Sequence, residues 1–324
     1  MNAAPRIDKL FEKTKPVCFG RFFIDVPADA EVLFGPQAFG PNIETIEKGS
    51  KAIRKMASVK QAELEAIKHR KEPGSLLRSA IDGPTDGSKV LQFRDDKFNV
   101  RTIDIWGYLN VPPHAFIYKT MTGGEAISGG ESNVETEMQE LTYVANNLRA
   151  RHPDEVPAEP GVCLDLGFIQ DDSGKFQEEF SIGFRFPSLP DVSFSISSNK
   201  DARRDSTFEE RRSEAKKAAM MFAPLATLFS KVKTLREGHH KVSKWTGDEA
   251  LFRRPLEDEK GVWHEFQFEY PGVRYDHHNP GWDAALFTGV KNDQAGSQAS
   301  SLSDEEAIAL WDRMLSTMRL RVEK

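Results

Sequence analysis

The chain has 324 residues, of which 39% are hydrophobic and 29% are charged, and its formal net charge is −6. This length predicts two domains, and the acidic balance argues against a nucleic-acid partner, because such binding depends on basic surfaces. No run approaches the roughly 18 apolar residues of a membrane helix, so no transmembrane segment is predicted.

The first half of the chain begins with strand-like residues and continues into a long helical pattern. Phe19–Val26 is aromatic and β-branched and ends at Pro27, which predicts a strand. A second strand is predicted at Val32–Phe39, interrupted by Gly35-Pro36. Apolar residues at helical spacing then predict a helix over about 44–70.

Four further strands and a closing helix complete this half. The strands are predicted at Leu76–Ile81, Lys89–Arg94, Phe98–Leu109 and Ala115–Thr120. A glycine-rich loop over 123–132 precedes the closing helix, whose apolar positions run from Val134 to Leu148. Residues 151–160 contain three prolines, which predicts a stiff linker at 153–160.

The second half repeats this order of elements. Its strands are predicted at Cys163–Gln170, Glu178–Phe186, Val192–Ser198, Lys233–Glu237, His240–Thr246, Glu249–Arg254, Val262–Tyr270 and Ala284–Val290. An early helix is expected at about Thr207–Phe222, kinked at Pro224. The closing helix begins at Ser303, and Glu306 three positions later indicates a capping box.

The repeated order predicts an α+β fold of two similar modules, each an antiparallel sheet packed with an early and a closing helix. The predicted domains are 1–152 and 161–324, joined by the linker at 153–160. Similar openings, Val17-Cys18 and Val162-Cys163, place the two cysteines at matching positions of the modules. A bridge between them is one alternative, and two buried free thiols are the expectation.

Motifs for catalysis or cofactor binding are missing from the sequence. Ser128-Gly129-Gly130 has Ala126 where a nucleophile elbow needs glycine, and no phosphate-binding glycine loop is present. Paired histidines such as His239-His240 occupy adjacent strand positions, which point to opposite faces and do not predict a metal site. We therefore predict no catalytic residue, metal or cofactor, with a hydrolase that uses Ser128 and His114 as the alternative.

One polar and aromatic loop between two predicted strands is the candidate binding site. It contains Arg274, Tyr275, His277, His278 and Trp282. Tyr, Trp and Arg dominate the energetics of protein interfaces, so these residues are predicted to contact a partner. For Trp282 the alternative is a place in the core at the start of the next strand.

Two segments resemble a known family. Cys18-Phe19-Gly20-Arg21-Phe22-Phe23-Ile24-Asp25-Val26-Pro27 is similar to the start of the N-terminal domain of type VI secretion lipase immunity proteins. The run from Gly161 to Ile169, followed by Glu178 to Pro187, resembles their C-terminal domain. The resemblance spans nearly the whole chain and rests on the general pattern of residue types. It provides no short binding motif whose residues can be assigned to positions of this sequence.

The resemblance implies a non-catalytic immunity protein that clamps a cognate phospholipase effector of the α/β-hydrolase type between two domains and blocks lipid access. It implies a 1:1 complex in the periplasm, and we expect a monomer when the protein is free. Residues 1–6 carry no secretion signal, so a periplasmic location requires a removed signal, and a full-length chain would be cytoplasmic. The alternative function is a binder of a small lipid, or an assembly chaperone, with an apolar pocket.

Overall fold

The chain forms two compact units, each assembled from separate chain segments. The computed structural model describes residues 4–122, 133–203, 205–221 and 230–321, so the glycine-rich loop at 123–132, Ser128 and Pro224 lie outside the described residues. Unit 1 comprises Met1–Gly35, Asp154–Ala158 and Glu178–Lys324, and unit 2 comprises Pro36–Pro153 and Glu159–Gln177. The domain boundaries at 152 and 161 stay a prediction.

Unit 2 is built on an antiparallel sheet with the strand order β3-β4-β8-β7-β6-β5. The strands are β3 (Glu31–Phe39, which enters the unit at Pro36), β4 (Asn42–Ile46), β5 (Leu77–Asp82), β6 (Lys89–Phe93), β7 (Asp104–Val111) and β8 (His114–Met121). Helix α2 (Ile53–Ala66) follows β4, and α3 (Val134–Asn147) follows β8. Ile53, Ala57 and Leu64 of α2 pack against Leu91 and Tyr108 of the sheet, because these positions recur at helical spacing.

Unit 1 contains a second antiparallel sheet with the same topology, in the order β12-β13-β17-β16-β15-β14. The strands are β12 (Glu178–Phe186), β13 (Leu189–Asn199), β14 (Lys233–Val242), β15 (Trp245–Pro255), β16 (Val262–Tyr270) and β17 (Gly281–Phe287). Helix α4 (Phe208–Met220) follows β13, and α5 (Asp304–Ser316) follows β17. When the strands of each sheet are numbered from its first strand, the two sheets have the same strand order. This confirms the predicted α+β fold of two similar modules.

A small three-stranded sheet accompanies each large one. In unit 1, helix α1 (Pro5–Leu10) leads into the hairpin of β1 (Thr14–Phe19) and β2 (Phe22–Pro27), and β18 (Arg319–Leu320) pairs with β2. In unit 2, β9 (Leu148–Ala150) pairs with β11 (Gly167–Gln170), which forms a hairpin with β10 (Gly161–Leu164). The short strand that ends each repeat therefore closes the hairpin that begins the other repeat.

Each of the predicted opening strands, Phe19–Val26 and Cys163–Gln170, contains one observed strand but also runs through the turn of a hairpin, so the other strand of each hairpin was missed. The first turns at Gly20, which has φ of 49°, and the second turns at Leu166, a leucine with φ of 57°. The helix predicted from 44 begins at Ile53, because Asn42–Ile46 pairs with β8 as strand β4. The predicted break between Glu237 and His240 is also wrong, since β14 is continuous there.

The core of unit 1 is rich in aromatic rings. Trp311 of α5 packs edge-on against Phe194 and Phe266, with ring centroids 5.8 and 6.0 Å apart. The predicted capping box of α5 is confirmed, because Ser303 and Glu306 each accept a backbone hydrogen bond from the other. The helix thereby begins at a fixed residue with its apolar face on the sheet.

Cys18 lies in β1 and Cys163 in β10, and both side chains are fully buried. Both cysteines are disulfide-bonded, so the expectation of two free thiols is wrong.

A candidate partner-binding loop

The loop that joins β16 to β17 in unit 1, residues 271–280, is held in shape by its own backbone. The Val273 amide donates to the Asn279 carbonyl oxygen at 2.8 Å, across the base of the loop. Inside it, the Asp276 amide donates to Val273 and the Asn279 amide donates to Asp276, at 3.0 and 3.1 Å. Three internal hydrogen bonds in so short a loop indicate one preferred conformation.

The carboxylate of Asp276 reinforces this conformation. One oxygen accepts from the His278 amide at 2.9 Å, and the other accepts from the Asn279 side-chain amide at 2.7 Å. Desolvation acts to raise the pKa of Asp276, but these hydrogen bonds and the nearby imidazoles of His278 and His277 outweigh it and lower the pKa. Asp276 therefore stays ionised near neutral pH and orders the residues after it.

Arg274 and Tyr275 are exposed side by side in the loop. The Tyr275 side chain is 60% exposed, and the Arg274 guanidinium carbon lies 4.4 Å from its ring centroid. Two residues near the end of β13, which the sequence analysis missed, anchor the pair: the Tyr275 amide donates to the Lys200 carbonyl oxygen, and Arg274 Nε donates to that of Asp201. The loop thus presents an arginine stacked on a tyrosine, which are two of the commonest anchor residues of protein interfaces.

Tyr275 has an unusual backbone conformation. Its φ is 68°, in the left-handed region that side chains with a Cβ atom rarely adopt. Surrounding structure must hold such a residue in place, and residues of this kind cluster at functional sites.

The remaining predicted site residues divide into two groups. The rings of His277 and His278 are half-buried, with their centroids 3.9 Å apart, and they lie beside Asp276. Trp282, in contrast, is fully buried and packs against Phe268 and Trp245 at 4.7 and 5.3 Å. Because β17 begins at Gly281 and directs this side chain into the core, Trp282 does not belong to the exposed loop surface.

A buried hydroxyl, imidazole and carboxylate lie in line elsewhere in unit 1. One ring nitrogen of His264 is 3.1 Å from Thr288 Oγ1, and the other is 3.1 Å from an oxygen of Asp304. The spacing is that of a hydrolase triad, but His264 and Thr288 have no exposed surface, so no substrate reaches them. The histidine of the hydrolase alternative, His114, accepts a hydrogen bond from the Lys48 amide. Its proposed nucleophile, Ser128, is outside the described residues.

One group of side chains in unit 1 has the composition of a metal site. His240, Glu249 and Asp312 bring their ligand atoms within 4.8 Å of one another. Arg236 already bonds both carboxylates, and Trp311 Nε1 donates to Glu249 at 2.7 Å. Both carboxylates are therefore already bonded by one guanidinium, and this arrangement does not favour a metal ion.

A cavity of about 720 Å³ lies between α4 and the sheet of unit 1. Its lining is mixed: it contains the ion pairs of Arg211 with Glu269 and of Arg254 with Glu265, and also the rings of Phe208, Phe252 and Phe268. In the part of the chain that the structure describes, no helix has the length and apolar character to cross a membrane.

Matches to known protein families cover nearly the whole chain. Residues 15–151 match the Tle cognate immunity protein 4 N-terminal domain, and residues 155–323 match the corresponding C-terminal domain. A search of curated protein sequences finds no match.

Solved structures show the same fold. The apo immunity protein TplEi of the type VI secretion system of Pseudomonas aeruginosa is 25% identical, with a TM-score of 0.80 over 98% of this chain and 100% of that one. The structure of a Tle4–Tli4 complex contains a chain 26% identical, with a TM-score of 0.80 over 96% of this chain and 98% of that one. TplEi bound to an "L" peptide is 24% identical, with a TM-score of 0.75, and covers 96% of this chain and 99% of its own. Because family matches cover both halves of the sequence, the chain belongs to the Tle cognate immunity protein 4 family.

Proposed function

We propose that this protein binds a cognate lipase effector of a type VI secretion system and inhibits it as a non-catalytic antidote in the periplasm. The observation that carries the proposal is the match of both halves of the chain to an immunity protein family. A relative with 26% identity over 96% of this chain, solved in the Tle4–Tli4 complex, supports the choice of partner. The complex is proposed to contain one copy of each protein, and the free antidote is proposed to be a monomer.

The exposed part of loop 271–280 is the proposed contact surface on this chain. Arg274, Tyr275, His277 and His278 remain in the proposal, and Trp282 is left out because it is buried. The internal hydrogen bonds support this choice, because a loop that is already ordered loses little conformational entropy when it binds. We also propose that residues 1–152 and 161–324 act as two domains that clamp the effector and keep lipid from its active site.

The first test is an inhibition titration. The purified protein is added to the lipase effector encoded beside it, and hydrolysis of a phospholipid substrate is measured. We expect activity to fall to baseline at one equivalent, because an effective antidote requires a subnanomolar complex, about −12 kcal/mol or better. Full activity with a tenfold excess of the protein contradicts the proposed function.

The second test locates the contact. An aromatic residue buries about 200 Å², so covering the 60% of Tyr275 that is exposed removes about 120 Å² from water. At about 25 cal/mol per Å² this contributes about 3 kcal/mol, so Tyr275→Ala should weaken binding about 150-fold. Leu33→Ala is the control, since Leu33 is 46% exposed on β3, outside the loop. Equal affinities for the two variants would refute the contact surface while leaving the function intact.

A further inference from the structure

Two adjacent loops of unit 2 are tied to each other by hydrogen bonds. They are residues 68–72, after α2, and residues 95–101, between β6 and β7, and we call them the basic loop pair. The Arg70 amide donates to the Lys97 carbonyl oxygen at 2.8 Å. His69 is buried between the loops: its Nδ1 accepts from the Lys71 and Glu72 amides, so its Nε2 carries the proton and donates to the Asn99 carbonyl oxygen at 2.9 Å.

The surface of the basic loop pair has a charge opposite to that of the whole chain, which carries −6. Five basic side chains are exposed on it: Lys68, Arg70, Lys71, Lys97 and Arg101. The two loops carry three acidic side chains, Glu72, Asp95 and Asp96, fewer than the five basic ones; Asp95 and Asp96 are exposed, and each of the three is held by an ion pair or a hydrogen bond. Glu72 bonds Arg78 and Arg94, Asp95 accepts from the Asn99 side chain, and Asp96 accepts from the Phe98 and Asn99 amides.

Apolar side chains project from the middle of this basic surface. Phe98 is 61% exposed and Val100 is 43% exposed. The Asp96 carboxylate fixes the backbone at Phe98, and these backbone hydrogen bonds lower the pKa of Asp96. Single exposed apolar side chains are common on protein surfaces, so the notable feature here is that Phe98 and Val100 lie within a basic surface on a loop ordered by hydrogen bonds.

We propose that the basic loop pair binds the surface of an anionic phospholipid bilayer, with Phe98 and Val100 at the headgroup boundary and the five basic side chains on the lipid phosphates. Exposed aromatic residues flanked by lysine and arginine are the usual composition of segments that lie on anionic membranes. A protein contact is disfavoured, because Phe98 and Val100 offer too little apolar area for a specific one. The membrane proposal does not depend on the proposed function. Together, the two proposals place the antidote on the surface where a phospholipase meets its substrate.

The test is co-sedimentation of the full chain with vesicles of phosphatidylcholine alone or with 30% phosphatidylglycerol. We expect binding to the phosphatidylglycerol vesicles only, and at least tenfold weaker binding in 500 mM salt, which screens exposed charges. Phe98→Ser and the double variant Lys97→Glu/Arg101→Glu should each reduce binding at least tenfold. Lys216→Glu/Lys217→Glu, on exposed residues of α4, is the matched charge control and should retain binding.

Two outcomes overturn the proposal. One is equal binding of the chain to both kinds of vesicle, or equal losses in the loop variants and the α4 control. The other is loss of affinity for the lipase effector in the loop variants with vesicle binding unchanged, which assigns the surface to a protein contact. Inhibition of the lipase on a soluble ester substrate is measured separately, so failure of vesicle binding is distinguishable from failure of the proposed function.

Discussion

Backbone strain at Tyr275 predicts which of two substitutions at this position, glycine or alanine, gives the more stable protein. A residue with a Cβ atom in the left-handed region costs about 1–2 kcal/mol, and Tyr275 has φ of 68°. Glycine avoids this cost, although its greater freedom in the unfolded chain costs about 0.5–1 kcal/mol. Tyr275→Gly should therefore be more stable than Tyr275→Ala by about 0.5–1 kcal/mol. Both variants lose the contact with Arg274, so that loss cancels in the comparison.

The assay is urea unfolding of both variants followed by circular dichroism. Val273 provides the control, because it is 54% exposed in the same loop and is not among the residues with positive φ. There the order should reverse, with Val273→Gly less stable than Val273→Ala by about 0.5–1 kcal/mol. If Tyr275→Gly is no more stable than Tyr275→Ala, the backbone at 275 is not strained. Both Tyr275 variants should lose the same affinity for the effector, because both lack the ring.

Three further predictions concern unit 1. Arg21→Met should destabilise the protein by about 3–5 kcal/mol in urea unfolding, because it leaves the buried Glu178 without the guanidinium that bonds both its oxygens. Adding Glu178→Leu should recover part of the lost stability. If the double variant recovers none of it, the buried charge of Glu178 is not the cause. Ser303→Ala should lower stability by about 1 kcal/mol through loss of the α5 cap, and an unchanged urea midpoint would argue against it. Burial lowers the pKa of His264 below its usual 6.5, so the unfolded chain gains the proton first and stability should decline as the pH falls below about 6.5. His264→Gln should flatten that profile between about pH 8 and 5.

The sequence predicted most strands of the large sheets, though not their order within a sheet, because these strands alternate in hydrophobicity and end at turn residues. Glu178–Phe186 and Val262–Tyr270 agree with β12 and β16 at both ends. The two opening hairpins were missed for a physical reason. The first turns at Gly20 within an aromatic run of residues. The second is buried at seven of its eight strand positions, so no alternation separates its strands, and it turns at Leu166, a residue type that does not indicate a left-handed turn.

The candidate loop was found from residue types alone, but its geometry was not. The stacking of Arg274 on Tyr275 depends on the carbonyl groups of Lys200 and Asp201, which are distant in sequence. Trp282 has the composition of a contact residue, and only its position in β17 shows that it packs inward. Polarity and aromatic content identify such a loop, whereas exposure of each side chain is decided by tertiary packing.

The pairing of β2 with β18 has a consequence for how the chain folds as it emerges. Phe22 and Phe23 find their partner strand at residues 319–320, close to 300 positions later. Unit 1 is therefore completed only when almost the entire chain is present, whereas β9 and β11 of unit 2 meet within about 20 residues. Pairing at such long range is slow. If a chain crosses a membrane from its N-terminus, β2 stays without its partner strand β18 until the crossing is almost complete.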